Sequence, residues 1–199
     1  MPQDHSKRIW LLRHAQTEWS LNGRHTGSRS DIPLTPEGEE KARDLEPIVS
    51  KIDFGLVLVS PMKRTLRTAE LAGLLDRAER EPDLLEWDYG DYDGVTTQEI
   101  RKTDPGWTVW THSCPNGETG EQVAARARNV IDRAIAAEGD VALISHGHYL
   151  RVLCATWLHL APQHGADFNL STGTVSLLGF EHEYRTILHW NERVTGVSS

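Results

Sequence analysis

Two short apolar runs that each stop abruptly at a histidine constrain this chain more than any other feature. Residues 9–12 (IWLL) end at Arg13 and His14, and residues 141–144 (VALI) end at Ser145 and His146. Short apolar runs bounded by polar residues read as strands buried on both faces, as in parallel sheets covered by helices. Residues 56–60, 174–180 and 184–190 have the same strand-like character.

Helix signals alternate with the first three runs. Thr35 before Pro36 is an N-cap with proline at the first helical position, opening a helix to about residue 50. Ser60 before Pro61 repeats the device and opens a helix over 61–74, with Met62, Leu66 and Ala69 on one face. Thr119 and Gln122 form a capping-box pattern ahead of a helix to about 137, striped by Val123, Ala127, Val130, Ile131 and Ala134 and ended by Gly139. Leu150, Leu153, Cys154, Trp157 and Leu158 fall at helical spacing within 148–159, before Pro162. The stretch 86–118 is rich in Asp, Gly and Trp; it reads as a lid or substrate-specificity segment with a short helix near 96–102.

This alternation predicts an α/β fold: a three-layer sandwich with a largely parallel central sheet flanked by helices, in one domain spanning 1–199. Ligands of such sheets bind beyond the carboxyl ends of the strands. Arg13–His14, 60–64 and 146–148 are therefore expected near one rim.

A net charge of −8 argues against a general affinity for nucleic acid or anionic membrane, so an anionic ligand needs a local basic focus. The start of the chain lacks an adequate apolar signal segment, and no run approaches a membrane span. Cys114 and Cys154 lie far apart, without metal-ligand spacing. They read as reduced thiols, with a disulfide between them permitted but not required, and the protein is expected to be cytoplasmic.

The residues expected at the rim suit phosphoryl transfer. Guanidinium forks such as Arg13 and Arg64 match phosphate oxygens, and a helix N-terminus favours an anion. An imidazole such as His14 or His146 is a competent nucleophile when its second nitrogen is held as a donor. The leaving alkoxide needs a proton. Glu86, following the apolar pair Leu84–Leu85, is the candidate acid, since burial would raise its pKa. The plainer alternatives are a solvated Arg67 on the same helix face as Arg64, and Trp87, Trp107 and Trp110 packed under a lid rather than lining a sugar pocket. His146 and His148 form an H-x-H without companion ligands at metal-site spacing, and His112, His159 and His182 carry no signal.

In order along the chain, LLRHAQTEWSLNGRHTG, LTPEGEEKA, SPMKRTLRTAE, EWDYGDYDG, PNGET and LISHGH resemble the motifs of the histidine phosphatase superfamily, also called phosphoglycerate-mutase-like. TEWS, EWDYGDYDG and CPNGET look most like its small-molecule phosphatases, the sedoheptulose-1,7-bisphosphatase branch and related acid phosphatases. The resemblance implies a phosphoglycerate-mutase-like fold and a phosphomonoesterase acting on small phosphorylated metabolites such as sugar phosphates, with no cofactor or metal. It makes His14 the phosphohistidine. Arg13, Arg64 and His146 become the phosphoryl cradle, and Glu86 the proton donor that then activates water. Thr26 and Gly27 fall in the loop that wraps the phosphate, and Tyr89 and His148 at substrate contacts. Two positions depart from the pattern: Ala15 replaces a glycine, and Ser20 stands where many members carry an asparagine phosphate contact. The substrate-carboxylate anchors of the related mutases would fall on Trp87 and Thr97, neither of them basic. A cofactor-dependent phosphoglycerate mutase and a non-catalytic phospho-ligand-binding module are the competing readings. The expected partner is a small phosphate ester, and a two-fold homodimer is the default assembly.

Overall fold

The structure is a computed structural model that describes residues 6–193. Along the chain run β1 (Ile9–Arg13), α1 (Glu18–Leu21), α2 (Pro36–Arg43), α3 (Glu46–Val49), β2 (Phe54–Val59), α4 (Lys63–Leu71), β3 (Ala78–Arg80), α5 (Thr97–Ile100), α6 (Gly120–Ala136), β4 (Asp140–Ser145), α7 (Gly147–Trp157), β5 (Thr174–Glu181) and β6 (Tyr184–Arg193). The strands form one sheet in the order β3-β2-β4-β1-β5-β6. The pairs β2–β3, β2–β4 and β1–β4 are parallel. β5 runs antiparallel to β1 and β6. Only two residues, 182–183, connect β5 to β6, and a link that short can only reverse the chain.

Side chains alternate across each strand, and helices cover both faces of the sheet. Leu11, Leu58 and Leu143 face the core shared with α6 and α7. Leu12, Val57, Val59 and Ile144 face the other core, with Val49 of α3 and Ala69 of α4. Burying each such leucine contributes about 1.5–3 kcal/mol. α6 is held at both ends. Thr119 and Gln122 close the expected capping box, and the buried Lys7 ammonium donates to the C-terminal carbonyls of Ala134 (3.1 Å), Ile135 (2.7 Å) and Ala137. Those carbonyls have no intrahelical partner, and the helix dipole favours a cation there.

Several local expectations are corrected. The helix expected over 36–50 breaks after Arg43 and restarts at Glu46. Pro47 has no N–H to give residue 43, and its ring crowds that carbonyl. Ser60 does not cap the next helix. α4 starts at Lys63 with Met62 at its N-cap position, while the Ser60 N–H extends the β2–β4 ladder to the Ile144 carbonyl (3.0 Å). The edge strand β3 went unread because its three residues, Ala-Glu-Arg, carry no apolar alternation. The last expected helix runs from Gly147 to Trp157, leaving Leu158 as a half-buried C-cap.

Register places the site. Arg13 pairs with Ser145 and Val59 with Ile144, so β1, β4 and β2 end together on one rim. No described helix is long and apolar enough to cross a membrane.

Candidate active site

His14, Ser60 and His146 are each the first residue beyond a parallel strand. The His14 N–H donates to the Ser145 carbonyl (2.9 Å), which fixes its backbone to the sheet. The ring Nδ1 lies 2.7 Å from the Ala15 carbonyl. A carbonyl only accepts, so Nδ1 carries the proton and Nε2 keeps a free lone pair. Ala15 is itself held, its N–H donating to Thr68 Oγ1 (3.1 Å), which donates to the Arg64 carbonyl (2.7 Å). Burial, then the charges of Arg64 and Arg13, hold the His14 pKa well below that of free histidine, so the imidazole is neutral.

Arg64 is wholly buried. Its Nε donates to His146 Nδ1 (3.1 Å), and its terminal nitrogens donate to the carbonyls of Ser30 (2.9 Å), Gly27 (3.1 Å) and Thr26 (3.4 Å). Because His146 Nδ1 accepts, its Nε2 donates, to Ser60 Oγ (2.7 Å). Both nitrogens of His146 are thus engaged, with its ring 5.3 Å from that of His14. Arg13 reaches the Leu170 carbonyl through Nη1, yet its buried Nε has no hydrogen-bond partner. A buried N–H left unpaired costs roughly 1–3 kcal/mol, and a bound anion would recover it.

Glu86 is buried at the N-terminus of α7. Its carboxylate accepts from the backbone N–H groups of Tyr149 (2.8 Å), Trp87 (3.0 Å) and His148 (3.1 Å). Arg126 anchors the preceding turn by donating to the carbonyls of Asp83 (2.7 Å) and Leu85 (3.0 Å) while pairing with Glu118 (2.9 Å). Beside Glu86, the Tyr89 hydroxyl bonds His148 Nδ1, and His25 packs 4.9 Å from the Tyr89 ring. Asp93 ties this wall to the loop after α1, accepting from the Gly27 N–H (2.8 Å) and Ser30 Oγ (2.7 Å).

Together these groups enclose a cavity of about 270 Å³. Of the residues singled out in the sequence, Arg13, His14, Ser20, Thr26, Glu86, Tyr89 and His148 line it. Arg64 and His146 lie buried behind its wall, and Gly27 spends its N–H on Asp93 and its carbonyl on Arg64. The Ser20 hydroxyl is engaged in the capping box of α1 with Thr17. Arg24, His25, Arg151, Asn169 and Leu170 also line the cavity and were not singled out. Arg151 was within reach of sequence reasoning, three residues after His148 and so on the same helix face. Asn169 and Leu170 lie in an irregular stretch that carries no signal. Trp87 and Trp107 are buried in the core, and Trp110 packs edge-on against His148 at 5.0 Å. Arg67 bridges Glu39 and Glu70 on the surface. Among the described residues no group of three or more His, Cys, Asp or Glu is placed to hold a metal ion. A neutral imidazole with a free nitrogen, flanked by guanidiniums, has the parts for in-line attack on a phosphoryl group.

Residues 9–193 match the histidine phosphatase superfamily (branch 1). The chain is 40% identical over 184 residues to an acid phosphatase of Mycobacterium tuberculosis, a match covering 90% of each chain. It is 35% identical over 188 residues to a sedoheptulose 1,7-bisphosphatase of Saccharomyces cerevisiae, covering 78% of this chain and 69% of that one. A solved structure of a Mycobacterium tuberculosis open reading frame superposes with a TM-score of 0.88 at 38% identity, over 95% of this chain and 99% of that one.

Proposed function

Because this chain belongs to the histidine phosphatase superfamily and is a phosphatase, we propose that it hydrolyses small phosphorylated metabolites, sugar phosphates in particular, through a phosphohistidine formed on His14. The observation that carries this reading is the His14 ring itself, whose Nδ1 proton is held by the Ala15 carbonyl so that Nε2 is the nucleophile. Nε2 attacks phosphorus, and the bond from phosphorus to the ester oxygen breaks. The Arg13 guanidinium, with its unpaired Nε, takes charge on the equatorial oxygens. Arg64 acts from behind, holding the carbonyls of Thr26 and Gly27 and the His146 ring in place. Glu86, entering this step as the carboxylic acid, gives its proton to the leaving alkoxide and is left as the carboxylate. In the second step Glu86 takes a proton from water, which attacks the phosphohistidine, releases phosphate and restores neutral His14.

The domain is read as a single unit whose segment 86–118 shapes specificity, through Glu86 and Tyr89 at the cavity. Cys114 and Cys154, both buried and unpaired, accord with a cytoplasmic protein. Hydrolysis of p-nitrophenyl phosphate in EDTA, with an acid-labile phosphoprotein trapped during turnover, is the expected result. Full activity in His14→Ala would overturn the assignment. The mutase reading is disfavoured because Trp87 is buried with its indole N–H on the Glu118 carbonyl, and Thr97 bonds the His25 ring. Neither position carries a basic anchor, so isomerisation of 3-phosphoglycerate with added bisphosphoglycerate is expected to be slow relative to hydrolysis.

A further inference from the structure

Glu86 lies in irregular chain, with no helix or strand of its own to fix it. The backbone on either side of it is held by one ion pair. Arg126 of α6 donates through Nη1 to the carbonyls of Asp83 (2.7 Å) and Leu85 (3.0 Å), just before the acid. Glu118 holds the residues just after it. Its Oε2 accepts from the Asp88 N–H (2.9 Å), its own N–H donates to the Asp88 carbonyl (2.8 Å), and its carbonyl accepts from the Trp87 indole (2.9 Å). The two side chains then meet in a bidentate pair, Arg126 Nε to Oε1 and Nη2 to Oε2 of Glu118, both at 2.9 Å.

All three guanidinium nitrogens of Arg126 are spent in this way, which a planar fork permits and an ammonium does not. The guanidinium also lies 5.1 Å from the ring centroid of Tyr149. The Tyr149 N–H makes the shortest of the three bonds to the Glu86 carboxylate (2.8 Å). One cation thus touches both the loop that carries Glu86 and the helix residue that orients it. The side chains of Arg126 and Glu118 are only 18% and 22% exposed, so the pair is largely shielded from water and salt. Neither residue lines the cavity. A general acid must lie within hydrogen-bond reach of the oxygen that it protonates.

We propose that Arg126 and Glu118 are positioning residues for proton donation: acting through the backbone around Glu86, they set the rate of leaving-group protonation without touching the substrate. This rests on the phosphatase reading, with Glu86 as the acid.

Dependence on the leaving group separates this role from general support of the fold. p-Nitrophenolate departs as a stable anion and needs little help from an acid, whereas the alkoxide of benzyl phosphate, an ester of similar size, needs its proton. kcat/KM covers the steps up to formation of the phosphohistidine, so it reports the first proton transfer alone. In Arg126→Met, kcat/KM for benzyl phosphate is expected to fall by about 100-fold, the cost of a displacement of about 1 Å. The fall for p-nitrophenyl phosphate is expected to stay below about threefold, because that ester barely draws on the acid. Glu118→Gln keeps an acceptor for the Asp88 N–H and is the milder change. It is expected to show the same selectivity at about tenfold or more, and it decides the question if the methionine variant does not fold. Equal losses on the two esters in variants that melt cooperatively, or no loss on either, would overturn the proposal. Native protein that hydrolyses only the nitrophenyl ester has no working acid to position, which also overturns it. Native protein that hydrolyses neither removes the phosphatase reading itself.

Discussion

At Gly147 a single methyl group probes the geometry of the whole site. A Cβ there would stand 2.9 Å from Arg13 Cζ, and Arg13 is tethered to the Leu170 carbonyl with little room to yield. Displacing a positioned group by about 1 Å costs roughly 100-fold in rate. Gly147→Ala is therefore expected to lower kcat for p-nitrophenyl phosphate by up to about 100-fold, with an unchanged far-ultraviolet spectrum. His14 gives a second expectation at this scale. On the proposed mechanism only its neutral form attacks, and burial holds its pKa well below 6.5. The acid limb that His14 contributes to a kcat/KM–pH profile, which reports the free enzyme, is thus expected well below pH 6.5. A limb centred on 6.5 would show the ring to be solvated. The placement of Arg13 and His14 at the rim was readable because both end a short apolar run. The double engagement of His146 was not, since its partners Ser60 and Arg64 are more than eighty residues away.

Helices differ in how much of them local chemistry announces. α6 combines a capping box, a clean apolar stripe and a terminating glycine, and it forms where that pattern places it. Thr119→Ala leaves an N-terminal N–H unpaired, which costs about 1 kcal/mol. The expected outcome is a Tm lower by roughly 2–4 °C in a domain of this size, with kcat retained. The break between α2 and α3 follows from Pro47, a local signal that the Thr35–Pro36 start outweighed in the sequence reading. α7 does work that its stripe does not show. Its buried face holds the core together, while the N–H groups of His148 and Tyr149 fix the Glu86 carboxylate, supplied by a loop about sixty residues earlier.

For the molecule as a whole, the site makes folding sensitive to acid. Burial is the largest cause of the lowered pKa at His14, His146 and His148, and it brings His25 to about 4. Above pH 6.5 these rings are neutral in both the folded and unfolded chain and no proton is exchanged. As the pH falls below 6.5 the unfolded chain takes up protons that the folded one refuses, so stability drops towards the folded-state pKa values. Each ring contributes up to about 1.4 kcal/mol per pH unit in that window. Thermal melts at pH 7 and pH 5 are expected to show a lower Tm at pH 5, and a Tm that rises on acidification would contradict the buried, neutral state of these histidines. What the sequence by itself determined was whatever is written in neighbouring residues: the apolar strand interiors, the caps, and the charged residues stationed at strand ends. Tertiary structure alone decided which distant groups meet: that Arg64 and His146 stand behind the wall, and that Arg24 and Arg151 line the cavity. Periodicity reports only which face of its own element a residue occupies, whereas strand order and register determine what that face meets.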